Sequence, residues 1–174
     1  EELLAQVDRF ERAAVTCVHV AVDGGHVALL AVADGLRADA PALVAALRAE
    51  GIRLTLLSGD RRPVADAVAA QLGGMEVIAE VLPHDKDRVV AELQARGERV
   101  AMVGDGVNDA PALIRADVGI AVGSGTDVSM ECADIVLMSN ELDKVRLATT
   151  LSRRTLRTIR QNIAISFVYN AIMV

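Results

Sequence analysis

The stretch Val100-Ala101-Met102-Val103-Gly104-Asp105-Gly106-Val107-Asn108-Asp109-Ala110-Pro111 decides the fold. Four apolar residues run into a Gly-Asp-Gly turn, and an apolar run of this kind is a buried strand of a parallel sheet. Asp105 then stands at the carboxyl end of the strand, where open α/β sheets bind their ligands. Asp109 lies four residues on, in the first turn of the next helix, so both carboxylates can face one point. Hard oxygen ligands arranged in this way suit Mg2+, which binds through one or two carboxylates, waters and phosphate oxygens. An Asp-Gly turn followed by an Asn helix cap would account for a bare Gly-Asp-Gly. Asn108, Asp109 and Pro111 in register favour the Mg2+ reading.

Outward from this stretch, helix and strand alternate between Asp34 and about Asp143. The pattern predicts helices over Pro41 to Glu50, Arg61 to Leu72, His84 to Arg96 and Ala110 to Ala116, with a short one after Gly125. Strands are predicted over Ile52 to Leu57, Glu76 to Val81, Arg99 to Val103, Val118 to Val122 and Ile135 to Met138. Such alternation means an α/β fold, a doubly wound parallel sheet with helices on both faces. Before it, Cys17 to Val22 and His26 to Val32 are β-rich runs around Asp23-Gly24-Gly25, a hairpin signal.

A long helix is expected from near Leu142. Arg153, Arg154, Arg157 and Arg160 precede an apolar run from Ile163 to Val174, and a basic collar before an apolar run is how a cytoplasmic helix enters a membrane. The run is about a dozen residues, whereas a span needs roughly 20. A terminal helix packed on a soluble core is the other reading, and composition leaves both open. The chain lacks an initiator Met, and both of its ends read as cut.

Composition narrows the function. The 174 residues can bury one good core. The net charge of −6, with no basic run interleaved with aromatics, argues against nucleic-acid binding. Cys17 and Cys132 are far apart and outside any Cys-x-x-Cys spacing, so neither a disulfide framework nor a zinc site is indicated. His19, His26 and His84 show no metal-ligand spacing. No Gly-x-Ser-x-Gly arrangement suggests acyl transfer.

Other polar groups gather at the expected strand ends. Ser58-Gly59-Asp60 follows an expected strand and opens a helix, so its hydroxyl and backbone N–H groups can hold an anion, although a simple cap reads the same way. Lys86 begins a helix after Leu82-Pro83-His84-Asp85, where a solvated surface charge is the ordinary reading. Asp34-Gly35-Leu36-Arg37 reads as a turn, and Gly123-Ser124-Gly125-Thr126-Asp127 as a loop able to cradle phosphate.

Together these segments resemble the P-type cation-transporting ATPases, members of the haloacid dehalogenase-like superfamily. The resemblance runs through Asp34 to Arg37, Leu57 to Asp60, Leu82 to Lys86, Gly104 to Leu113 and Gly125 to Asp127, and so covers nearly the whole chain. Within the family the heavy-metal branch fits best. Arg160-Gln161-Asn162 followed by Tyr169-Asn170 is similar to a membrane helix of copper-type members, which makes Tyr169 and Asn170 candidate contacts of the transported ion.

The resemblance implies a role for each matching residue. Ser58, with Gly59 and Asp60, matches the family's Thr-Gly-Asp motif, whose hydroxyl contacts the transferred phosphoryl group; here Ser replaces Thr. Lys86 matches the lysine that neutralises phosphate charge, and Asp34 with Arg37 borders the phosphorylation pocket. Asp105 and Asp109 would hold Mg2+, beside Gly106, with Asn108 bonding the phosphate. The implied cofactors are Mg2+ and ATP. The implied organisation is the end of a nucleotide-binding domain over residues 1–32, a phosphorylation domain over 33–143, and a linker entering a membrane helix over 144–174.

The family's Asp-Lys-Thr-Gly-Thr segment, which carries its nucleophile, does not occur in this sequence. The expectation is therefore a carboxyl-side part of a pump, inactive alone, from a multi-pass membrane protein with this region cytoplasmic. The implied activity of the whole is ATP-driven heavy-metal transport through an aspartyl-phosphate, with Cu+ favoured. Two other readings use the same residues: a soluble Mg2+-dependent phosphatase of the superfamily, and a non-catalytic Mg2+- or nucleotide-binding module.

Overall fold

The computed structural model describes residues 2–32, 35–104, 107–123, 131–139 and 141–173. Asp34, Asp105, Gly106 and the Ser124 to Asp127 part of the expected phosphate loop lie outside the described residues.

The chain opens with helix α1 (Glu2–Arg12) and then the hairpin of β1 (Thr16–Val22) and β2 (Gly25–Val32). Asp23 and Gly24 both take positive φ, 51° and 77°, which is how a two-residue turn matches the twist of paired strands. Helix α2 (Ala40–Ala49), β3 (Thr55–Leu57), α3 (Arg62–Gln71) and β4 (Glu76–Ile78) follow. A 3-10 turn, Pro83–Asp85, leads into α4 (Lys86–Ala95) and β5 (Ala101–Gly104). A second 3-10 turn, Val107–Asp109, leads into α5 (Ala110–Arg115), β6 (Val118–Val122), β7 (Ile135–Leu137) and the long α6 (Asp143–Met173).

Among the described residues all pairing outside the hairpin is parallel, as the β–α alternation predicts, but the expected sheet comes in two pieces. β3 pairs with β4, while β5, β6 and β7 pair in that order. Among the described residues nothing pairs with the second edges of β3 and β5. Both β3 and β4 are shorter than the apolar runs suggest. Ile52 to Leu54 lack a ladder partner, so the strand starts at Thr55. Glu80, at φ 61°, turns the chain after β4, so Glu76 to Val81 is not one strand.

The three-stranded piece is covered on both faces, the doubly wound arrangement. Leu43 and Leu47 of α2 pack with Ile120, Val122, Leu137 and Val145, joining α2, β6, β7 and α6 in one core. Each such side chain stabilises the fold by about 1.5–3 kcal/mol when fully buried. Side chains alternate along a strand, so Gly119 and Ala121 present the opposite face. There Gly119 lies against the backbone of Leu113 in α5, and Leu113 is 1% exposed.

Two polar links tie distant segments. The buried Glu11 carboxylate at the end of α1 pairs with Arg61 ahead of α3. The Leu142 backbone N–H donates to Asp39 Oδ2 at 2.7 Å, fastening the start of α6 to the start of α2. That bond is the main reason the Asp39 carboxyl is held below its ordinary range, with the nearby Arg37 guanidinium adding to it. A carboxylate whose folded pKa is depressed adds stability above its unfolded value, about 3.9, and loses it as pH falls through the folded value. We expect Asp39→Ala to flatten the acid limb of a melting-temperature profile below about pH 4, while the wild-type chain loses stability steadily there. Parallel profiles for the two chains would refute the assignment.

No helix among the described residues is long and apolar enough to cross a membrane. From Leu151 to Met173 every residue of α6 is exposed, including Tyr169 and Asn170. The alternative, a terminal helix packed on a soluble core, holds only at its first turns, where Val145 is buried.

Candidate active site

The site is assembled where parallel strands end. After β3 the chain turns through Ser58, Gly59 and Asp60, and after β4 it turns toward Lys86. Three backbone bonds knit these turns: Ser58 N–H to Ile78 O, Val81 N–H to Ser58 O, and Glu80 N–H to Asp60 O, at 2.9–3.1 Å. Ser58 is therefore not a helix cap. Helix α3 begins at Arg62 behind Arg61, and neither Ser58 nor Asp60 caps it. Instead Ser58 Oγ donates to Asp60 Oδ2 at 2.7 Å and accepts from the Asp60 N–H at 3.1 Å. The hydroxyl is held by its own turn and stays half-buried at the strand end.

The second cluster joins residues 23 apart in sequence. Lys86 Nζ donates to Asp109 Oδ1 at 2.6 Å, with the two side chains only 16% and 12% exposed. Helix physics alone would arrange neither residue in this way. Lys86 opens α4, where a cation opposes the helix dipole at a cost of about 0.3–1 kcal/mol. Asp109 stands at the N-cap of α5, a position that favours Asp, yet its side chain makes no cap bond. The carboxylate turns to Lys86 instead, so the solvated-surface reading of Lys86 fails.

Gly104 makes this geometry possible. A Cβ at that position would lie 2.8 Å from both Cβ and Oδ2 of Asp109. The backbone approach that only glycine permits thus keeps the Asp109 carboxylate against the end of β5. The donor chemistry fits Mg2+: a hard carboxylate oxygen at a strand end, in a cradle that any side chain at 104 would fill. Among the described residues no group of three or more His, Cys, Asp or Glu gathers, and of the two expected Mg2+ ligands only Asp109 lies within them.

Gly104→Ala is expected to push the Asp109 carboxylate off Lys86, with strain of about 1–3 kcal/mol. In the intact protein, the ATP turnover proposed below should fall roughly tenfold. Turnover unchanged from wild type would show that the close approach is irrelevant to the site.

The other expected site residues are less constrained. Asn108 is exposed in the 3-10 turn before α5. Arg37 Nε lies 3.5 Å from Asp39 Oδ1. Asp34, Asp105 and Gly106 lie outside the described residues. Among the described residues no hydrogen bond links the Ser58–Asp60 pair to the Lys86–Asp109 pair. Sequence reasoning treated Gly104 as part of a turn and missed its packing; the dense Gly-Asp-Gly composition was the available signal.

The model of the haloacid dehalogenase-like hydrolase family matches residues 1–117. The chain belongs to that family. It is 52% identical over 166 residues to the probable copper-exporting P-type ATPase V of Mycobacterium tuberculosis, an alignment covering 95% of this chain and 21% of the relative. It is 48% identical to the probable copper-transporting ATPase PacS of Synechococcus elongatus, over 95% of this chain and 22% of that protein. A solved zinc-transporting PIB-type ATPase in its E2.Pi state superposes with a TM-score of 0.77 at 41% identity, covering 92% of this chain and 26% of the other. The resemblance to heavy-metal P-type ATPases and the expected α/β class therefore both hold. This haloacid dehalogenase-like chain spans about a fifth of the length of the curated relatives it matches.

Proposed function

We propose that this chain is the phosphate-handling part of an ATP-driven heavy-metal transporter that works through an aspartyl-phosphate, with Cu+ as the favoured cargo. The Lys86–Asp109 pair carries the reading. It sets a cation and a carboxylate side by side at the ends of parallel strands, in defiance of dipole and capping preferences. Phosphoryl transfer asks little covalent work of a protein beyond positioning and charge neutralisation. Lys86 would neutralise the oxygens of the transferred group. The Ser58 hydroxyl would turn its single proton from Asp60 to one of them, staying anchored by the Asp60 N–H, and Asn108 would bond another. Asp109 and Asp105 would hold Mg2+, which when bound offsets phosphate charge.

The nucleophile would come from a family Asp-Lys-Thr-Gly-Thr segment elsewhere in the intact protein. The open edges of β3 and β5 support this, because a strand between them would complete one sheet and end beside both clusters. We assign residues 1–32 to the end of a nucleotide-binding domain, 33–143 to the phosphorylation domain and 144–174 to a linker into a membrane helix. The basic collar and the apolar residues after Ile163 support the last assignment. ATP, the metal cation and the membrane are then the partners, and this region faces the cytoplasm.

The relatives named above are copper transporters by name, whereas the superposed structure is a zinc transporter. Tyr169 and Asn170 tip our choice to Cu+. The test is ATP hydrolysis by the intact protein in vesicles, stimulated by Cu+ or by Zn2+. We expect stimulation by Cu+, reduced about tenfold or more by Asn170→Ala. Stimulation by Zn2+ alone would overturn the copper assignment, and an Asn170→Ala protein with full Cu+ response would overturn the contact. No ATP hydrolysis with any ion would favour the phosphatase or binding-module reading.

A further inference from the structure

The hairpin of β1 and β2 carries a second feature, on which the phosphate chemistry does not depend. We propose that His19 and His26 form a two-imidazole site for a borderline transition-metal cation of the Zn2+ class. His19 lies on β1 and His26 on β2, seven residues apart. A β-bulge creates the site. From Thr16 to Val20 the register pairs His19 with Leu29 and Val20 with Ala28, and then Ala21 pairs with His26. Val27 is skipped. Continued without a break, the first register would set His26 opposite Val22, on the other face from His19. The bulge turns His26 onto the His19 face, which is how bulges re-aim side chains.

The rings meet there with His19 Nδ1 and His26 Nε2 3.4 Å apart, centroids at 5.4 Å and planes at 67°. Two imidazole nitrogens bound to one tetrahedral Zn2+ at about 2.0–2.1 Å lie about 3.3 Å apart, so the observed separation matches the bite of such an ion. Rotation of the two rings about their side-chain torsions would point both lone pairs at a shared cation. Both side chains are exposed, which leaves that motion free. Among the described residues no third His, Cys, Asp or Glu joins them, so water or an added ligand completes the coordination. Imidazole suits Zn2+, Cu2+ and Ni2+ and is a poor ligand for Mg2+, which sets this pair apart in chemistry from the carboxylate at Asp109.

The test is Zn2+ titration of the 174-residue chain by calorimetry or against a chromophoric chelator. Cys17→Ser and Cys132→Ser remove the thiols from the background, and the chain's third histidine, His84, is the internal control. The expected result is one Zn2+ per chain. His19→Ala or His26→Ala should weaken binding tenfold or more, and His84→Ala should leave it unchanged. Circular dichroism on each variant separates loss of the site from loss of the fold. No Zn2+ binding by the parent, or equal binding by a correctly folded double variant lacking His19 and His26, overturns the proposal.

Discussion

Lys86→Ala in the intact protein is expected to lower the proposed ATP turnover by about 10²–10³-fold, the usual loss when one preorganised charge-stabilising group is removed from a transfer site. The expectation rests on where Lys86 lies and not only on its charge. It sits at the positive end of α4, with its ammonium 2.6 Å from Asp109 Oδ1 and mostly shielded from water. Losing it removes a charge-assisted bond of about 1.5–3 kcal/mol, so the chain should still fold. Lys86→Arg should recover only part of the rate, because a planar fork cannot replace a point charge in a gap of that size. A Lys86→Ala protein within threefold of wild-type turnover would remove Lys86 from the phosphate site.

Gly119→Ala is expected to be the most damaging single methyl in the fold, at about 3 kcal/mol, the upper end of the usual range for overpacking. The added Cβ would lie 2.6 Å from Leu113 O and 3.1 Å from its carbonyl carbon. Both are backbone atoms of α5, so no side chain can swing aside. Relief requires β6 and α5 to separate, and that displaces Leu113, which is 1% exposed. It also disturbs the N–H of Gly119, which donates to Asp134 Oδ2 at 2.8 Å. Urea unfolding of the chain should show the midpoint drop with little change in slope. A loss below about 0.5 kcal/mol, the ordinary range for a surface substitution, would mean that α5 does not press on β6 as described.

The two predictions mark what sequence does and does not reveal. The Val100 to Pro111 stretch announced a strand, a ligand-binding turn and a helix, because strand burial, Gly-Asp turns and helix starts each leave a local signature. The structure places β5, the turn of Val107–Asp109 and α5 there. Lys86 was different: its sequence neighbourhood describes an exposed helix start, and only the tertiary contact with Asp109 gives it meaning. The division of the sheet was also illegible, since an apolar run such as Ile52 to Leu57 records burial but not which strand lies alongside. The Glu11–Arg61 pair joins segments 50 residues apart, and no local pattern encodes it. The bulge that unites His19 with His26 depends on one skipped residue in β2, which alternation of side chains alone does not show.

The most direct test of the account is phosphate transfer from labelled ATP to the intact protein in the presence of Mg2+. An acid-stable, hydroxylamine-sensitive phosphoenzyme is predicted for wild type, with labelling lost in Asp109→Asn and strongly reduced in Lys86→Ala. An intact protein that takes up no label, or whose Asp109→Asn variant labels as well as wild type, would contradict it.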